Sequence, residues 1–95
     1  MVIVTHDENG GWWDHVAPPK GDRWGPGSRI PATVISPYAK KGFVDHTVYD
    51  TTSIMRFLTR LYGLRKLDAL IARDEAFIAN HQIPLGDLTN TLNVG

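Results

Sequence analysis

Met1–Thr5 is a run of apolar and β-branched residues with no polar alternation. That pattern predicts a strand covered on both faces, as in a parallel sheet. A second such run, Ala32–Ser36, is stopped by Pro37. Between them lies a polar stretch from His6 to Pro31, punctuated by Gly10-Gly11, Pro18-Pro19 and Gly25-Pro26-Gly27. A loop that long in a compact domain usually serves a site, so residues 6–31 are read as an active-site loop. Lys40-Lys41-Gly42 predicts a turn, with irregular chain up to Tyr49. From Thr51 to Tyr62, the residues Ile54, Phe57, Leu58, Leu61 and Tyr62 recur at helical spacing and form one apolar stripe. Asp50 or Thr51 can cap this helix, Arg56 and Arg60 fall on its outer face, and Gly63 can close it in a left-handed conformation. A weaker helix spans 66–79 on Leu67, Leu70, Ile71 and Phe77, with Pro84 as its breaker. Gly86-Asp87-Leu88-Thr89 predicts a last short turn capped by Asp87.

The order of elements is α/β, yet two such strands cannot cover both of their faces or satisfy both of their edges. The 95 residues therefore read as a single partial domain, a piece of a larger sheet. Uncovered edges and faces predict that the isolated chain self-associates.

Composition narrows the function. Cys is absent, which excludes a thiol nucleophile, a disulfide scaffold and thiolate metal sites. Ten basic and ten acidic residues cancel, so no net field draws in nucleic acid or an anionic membrane. No apolar run is long enough for a membrane span, and Met1-Val2-Ile3-Val4 lacks the basic start and long apolar core of a signal peptide. Charge is nonetheless segregated, −3 over residues 1–19, +6 over 20–66 and −3 over 67–95. One reading is solvated faces. The other is an acidic pocket for a cation, flanked by bases suited to an anionic substrate.

The densest polar cluster, His6-Asp7-Glu8-Asn9-Gly10-Gly11-Trp12-Trp13-Asp14-His15, directly follows the first strand. Ligands in open α/β sheets bind beyond the carboxyl ends of strands. A turn there can swing Asp7 and Glu8 toward one point, where two carboxylates repel unless one protonates or a cation sits between them. Oxygen donors favour Ca²⁺, Mg²⁺, Mn²⁺ or Zn²⁺. The competing reading of Asp7-Glu8 is a solvated turn. Asp14-His15 is either a carboxylate orienting a proton-transferring imidazole or a local loop bond. Trp12-Trp13 can stack on a sugar or anchor a core, and His46 and His81 carry little signal alone. Arg23, Arg29, Lys40 and Lys41 are available to a phosphate by charge.

The ordered block Val2–Pro19 resembles the C-terminal signature of the bacterial phosphoesterase family, which joins phosphatidylcholine-type phospholipases C and metal-dependent acid phosphatases. The similarity continues through Gly25–Pro31, Val34–Pro37, Tyr49–Phe57, Tyr62–Leu64 and Gly86–Asn90. The resemblance implies the C-terminal portion of an alkaline-phosphatase-like α/β/α sandwich, with parallel-type strands and two or three helices. It implies hydrolysis of a phosphate ester at a divalent metal, with Asp7 and Glu8 as ligands, His15 as a catalytic neighbour and Arg29 as a substrate contact. The ending around Gly86–Asn90 fits the acid phosphatase branch better. The family's Glu-Asn pair and its hydroxyl nucleophile have no counterpart in these residues, so the resemblance implies an inactive isolated chain that needs the N-terminal part of the same enzyme. Relatives of this kind are periplasmic or secreted. A contrasting expectation is a non-catalytic module, Ca²⁺-dependent or carbohydrate-binding, built on the acidic loop and Trp12-Trp13.

Overall fold

A computed structural model describes residues 1–93. In chain order they form β1 (Val2–Thr5), β2 (Ala32–Ile35), α1 (Thr52–Leu61), α2 (Asp68–Ala79) and a 3₁₀ turn at Thr89–Thr91. The two strands pair antiparallel, Val2 opposite Ile35 and Thr5 opposite Ala32, which corrects the parallel expectation. A parallel pair needs a crossover, usually through a helix. The loop from 6 to 31 contains none, and it returns to its start, where the Thr5 hydroxyl donates to the Pro31 carbonyl at 2.8 Å.

Neither are the strands covered on both faces. Val2, Val4 and Ile35 are each more than half exposed. Uniform apolarity reports what a strand is suited to lie against, and it does not encode the direction of its neighbour. Val2 and Val4 share one face with Ile35, while Ile3 and Thr5 share the other with Val34 and Ala32. Ile3, Thr5 and Val34 help line a groove of about 590 Å³ with Phe43, Val48 and Ile54.

The buried apolar side chains lie instead on α2 and the C-terminal segment. Leu70 and Phe77 of α2 are buried together with Leu85 and Leu88. Phe77 also meets the long loop: a Cβ on Gly21 would sit 2.6 Å from its ring. The segment before α1 is tied to the C-terminal turn, where the Gly86 amide donates to the Val48 carbonyl and Asn90 donates to Asp45.

Both helices start and stop close to expectation, but α1 turns a different face inward. Ser53 and Arg56 are buried, whereas Ile54, Leu58 and Leu61 stay more than a third exposed. Arg56, expected on the outer face, donates to Asp74 at 3.0 Å and to the Leu70 carbonyl at 3.4 Å. A polar side chain three residues from Ser53 lies on the same helical face, and α2 supplies the carboxylate that makes its burial tolerable. Asp50 performs the expected capping duty, accepting the Thr52 amide at 2.8 Å. Gly63 closes the helix at φ +60°, the left-handed region glycine adopts without strain. α2 ends at Ala79 as expected, ahead of Pro84, with Asn80 at its C-cap and His81 at φ +59°. Leu88, at φ +71°, holds the cap position expected of Asp87, while the Asp87 side chain accepts the Thr89 amide from one residue further out.

Candidate metal centre and its loop

The chain leaves β1 at Thr5 and enters a turn that folds its side chains onto its own backbone. Asp7 Oδ1 accepts the Glu8 amide at 2.7 Å, and Glu8 Oε2 accepts the Gly10 amide at 2.9 Å. Each carboxylate thus has one oxygen held by a backbone N–H. The second oxygen of each accepts no hydrogen bond among the described residues, and both residues are exposed. Asn9 completes the turn, accepting the Gly11 amide and donating to the Trp12 carbonyl. Gly10 and Gly11 take φ values of +69° and +85°, which only glycine adopts readily in succession.

Oxygen donors of this kind suit a hard cation, and two adjacent carboxylates with an open oxygen each form part of such a donor set. Part is what is present. Among the described residues no three His, Asp or Glu side chains lie close enough together to hold a metal ion.

Asp14 brings two more of the sequence-predicted residues to one place. Its Oδ2 accepts from Arg29 Nε at 3.1 Å, and its Oδ1 lies 3.8 Å from His15 Nδ1. The Val16 amide bonds to Asp14 as well. That amide and the Arg29 guanidinium outweigh partial desolvation and hold the Asp14 carboxyl below its ordinary range. His15 and Arg29 remain largely exposed, the imidazole on one side of Asp14 and the guanidinium on the other. Trp12 and Trp13 anchor no core: 82% and 89% of their surface is exposed.

Sequence reasoning missed what holds the loop from below. Arg73 of α2 donates Nε to Asp22 at 2.9 Å and Nη1 to Asp50 at 2.6 Å. Asp22 in turn accepts the Trp24 amide. The hydrogen bond with Arg73 lowers the Asp22 carboxyl and raises the guanidinium. One side chain therefore fixes the loop, the start of α1 and α2 together. Asp22 and Arg73 are 51 positions apart, so no local spacing announces the pair.

With this geometry in hand, comparison with known proteins decides the family. Residues 1–65 match the model of the Phosphoesterase family. The chain belongs to the phosphoesterase family. A non-hemolytic phospholipase C of Pseudomonas aeruginosa is 35% identical over 94 residues, covering 66% of this chain and 14% of that protein. Phospholipase C B of Mycobacterium tuberculosis is 30% identical over 116 residues, covering 97% of this chain and 21% of that protein. Non-specific phospholipase C6 of Arabidopsis thaliana is 27% identical, with 97% and 23% covered. The phosphoesterase chain spans less than a quarter of the length of these curated relatives. No solved structure matches it at a significant level. The Asp7–Glu8 turn and the Asp14–Arg29 pair both lie inside the matched residues. Among the described residues no helix is long and apolar enough to cross a membrane.

Proposed function

We propose that this chain supplies one part of a hydrolytic site for phosphate esters, in which Asp7 and Glu8 donate oxygen ligands to a divalent cation. The observation that carries the reading is the turn after β1, where two neighbouring carboxylates each keep one oxygen open inside the span matched by the family. A bound cation would neutralise the non-bridging oxygens of a phosphate and acidify a coordinated hydroxyl. The chain's own contribution is positional. Asp7 and Glu8 hold their acceptors by backbone bonds, and Asp14 holds Arg29 where a guanidinium can face an anionic ester. His15, beside Asp14, is available to move a proton. The attacking hydroxyl and the remaining ligands come from the part of a phosphoesterase outside these residues, so the chain alone does not turn over substrate. The parent enzyme is exported.

Phosphate monoesters are the favoured substrates. The alignment with phospholipase C B extends over 116 residues, more than the 95 of this chain, so the mycobacterial enzyme carries residues within the matched span that have no partner here. The shorter matched span, with the Gly86–Asn90 ending, favours a small ester. Phospholipid is the second reading, favoured by the relatives, which are phospholipases C by name.

The test fuses the chain behind the preceding part of a family member and measures hydrolysis of p-nitrophenyl phosphate and p-nitrophenyl phosphorylcholine. Hydrolysis of the monoester, lost together with bound metal in Asp7→Asn and in Glu8→Gln, is the expected result. Unchanged turnover in both variants would end the proposal, and preference for the choline ester would select the second reading.

A further inference from the structure

The long loop contains a smaller ring. Asp14 and Arg29 close it at the neck, and its far end, residues 21–25, rests on α2. Arg73 and Phe77 of α2 and Asn80 at its C-cap stand four and three positions apart, so they share one helical face. Arg73 donates Nε and Nη2 to Asp22 at 2.9 and 3.2 Å, and Asn80 donates Nδ2 to the Gly21 carbonyl at 3.1 Å. A Cβ at Gly21 would collide with the Phe77 ring and the Gly25 carbonyl. Asp22 passes this grip to the rest of the tip: its carboxylate accepts the Trp24 amide and its carbonyl accepts the Gly25 amide. Every contact in this brace lies within the chain and needs nothing from the remainder of the enzyme.

Arg29 follows the tip closely. Residues 26–30 run between Gly25, held through Asp22, and Pro31, whose carbonyl accepts the Thr5 hydroxyl at 2.8 Å. The place of Arg29 is therefore set at both ends of a short span. Its own pair with Asp14 aims the guanidinium but does little to fix the chain, because the Arg29 side chain is 60% exposed and exposed pairs contribute little. We propose that Arg73 is a positioning residue for Arg29: by holding Asp22 it fixes the tip from which the Arg29 segment hangs, and so sets the reach of the guanidinium to a phosphate oxygen. The proposal rests on the hydrolytic reading, in which Arg29 faces the ester. It adds α2 to the site, since Arg73, Phe77 and Asn80 all lie beyond residues 1–65, the span of the family match.

Steady-state hydrolysis of p-nitrophenyl phosphate by the fused enzyme tests the proposal, with bound metal measured in parallel. Arg29→Gln should raise KM at least about tenfold, the scale of a charge-assisted hydrogen bond to phosphate, with kcat little changed. Arg73→Met and Asp22→Asn should each raise KM in the same way and keep the metal. Asp22→Asn preserves shape and leaves Arg73 paired with Asp50, so it decides the matter even if Arg73→Met fails to fold. Combined with Arg29→Gln, neither substitution should raise KM further, because residues acting through one contact are not additive, whereas a merely structural role predicts additive losses. Asp50→Asn, which cuts the other arm of Arg73, should lower stability and leave KM unchanged. An unchanged KM in Arg29→Gln or Asp22→Asn, or additive effects of the two, overturns the positioning role while Asp7→Asn still loses metal and activity. Full turnover in both Asp7→Asn and Glu8→Gln overturns the hydrolytic reading instead, and this role with it.

Discussion

The Tyr49 hydroxyl donates to Asp45 at 2.5 Å, and the same carboxylate accepts the Thr47 amide and the Asn90 side chain. Partial burial works to raise the Asp45 carboxyl, but these hydrogen bonds outweigh it and bring it to about 2. Burial and the bond to Asp45 push Tyr49 up to about 12. A depressed carboxyl stabilises the fold above its unfolded value near 4, and that contribution fades as pH falls from about 4 to about 2. A raised phenol stabilises below its unfolded value near 10 and is lost as pH climbs from about 10 to about 12. The Tyr49–Asp45 bond contributes to both limbs. Urea unfolding across pH should show Tyr49→Phe to be about 1 kcal/mol less stable at neutrality, with the gap to wild type closing below about pH 3 and above about pH 11. A gap that stays constant with pH would show that this bond is not the linkage.

Arg73 ties three segments of the chain together. Its side chain is 13% exposed and bridges Asp22 and Asp50. Removing it leaves two carboxylates facing each other without a cation. Breaking one side of a well-buried pair costs about 3–5 kcal/mol, and partial exposure brings the expected loss for Arg73→Met to about 2–3 kcal/mol. A domain of this size has little stability to spare, so a large fall in the urea midpoint is expected. Arg73→Lys should recover less than half, because an ammonium cannot serve two carboxylates with fixed in-plane donors. Full rescue by lysine would mean that charge alone matters here.

These two cases show where the sequence was legible. Helix limits followed from local rules: the apolar spacing from Ile54 to Leu61, Asp50 ahead of the first turn and Gly63 behind the last. The turn after β1 was legible for the same reason, since Asp7–Trp12 closes on itself through bonds spanning at most three residues. Direction and coverage were not legible. The apolarity of Val2–Thr5 could not distinguish a parallel from an antiparallel neighbour, and the stripe on α1 pointed to a covered face that is exposed here. Arg56 was misplaced because its partner, Asp74, is 18 residues away on another helix. Asp22 and Arg73 escaped notice, and Asp50 was read only as a cap, because their meeting depends on the tertiary arrangement of loop and helices. The Asp14 link between His15 and Arg29 was half legible, through the adjacent imidazole and not the distant guanidinium.

Gly86 sits against Tyr49 so tightly that a Cβ there would lie 2.6 Å from the ring. Its φ is not in the positive range, so the constraint is contact and not backbone conformation. Gly86→Ala must push Tyr49 away from Asp45 or displace the segment carrying Leu85 and Leu88. Overpacking of this kind costs about 1–3 kcal/mol. Because the same ring donates to Asp45, the variant should also blunt the acid and alkaline limbs described for Tyr49→Phe. A midpoint within error of wild type, with both limbs intact, would show that the contact relaxes freely.

Cation binding by the chain itself follows from the number of donors it offers. Asp7 and Glu8 are the adjacent carboxylates of the turn after β1, and no third His, Asp or Glu joins them among the described residues. Ca²⁺ takes six to eight oxygens, and affinity climbs with the number of charged ligands and the rigidity of the site. Two carboxylates on an exposed turn should therefore bind Ca²⁺ or Mn²⁺ only in about the millimolar range. Trp12 and Trp13 follow the pair within five residues, so their fluorescence offers a readout for a titration. Asp7→Asn combined with Glu8→Gln should abolish the signal, while Asp14→Asn, which releases Arg29, should leave it in place. Micromolar binding that survives the double substitution would locate the cation elsewhere and remove the basis for treating this turn as a metal centre.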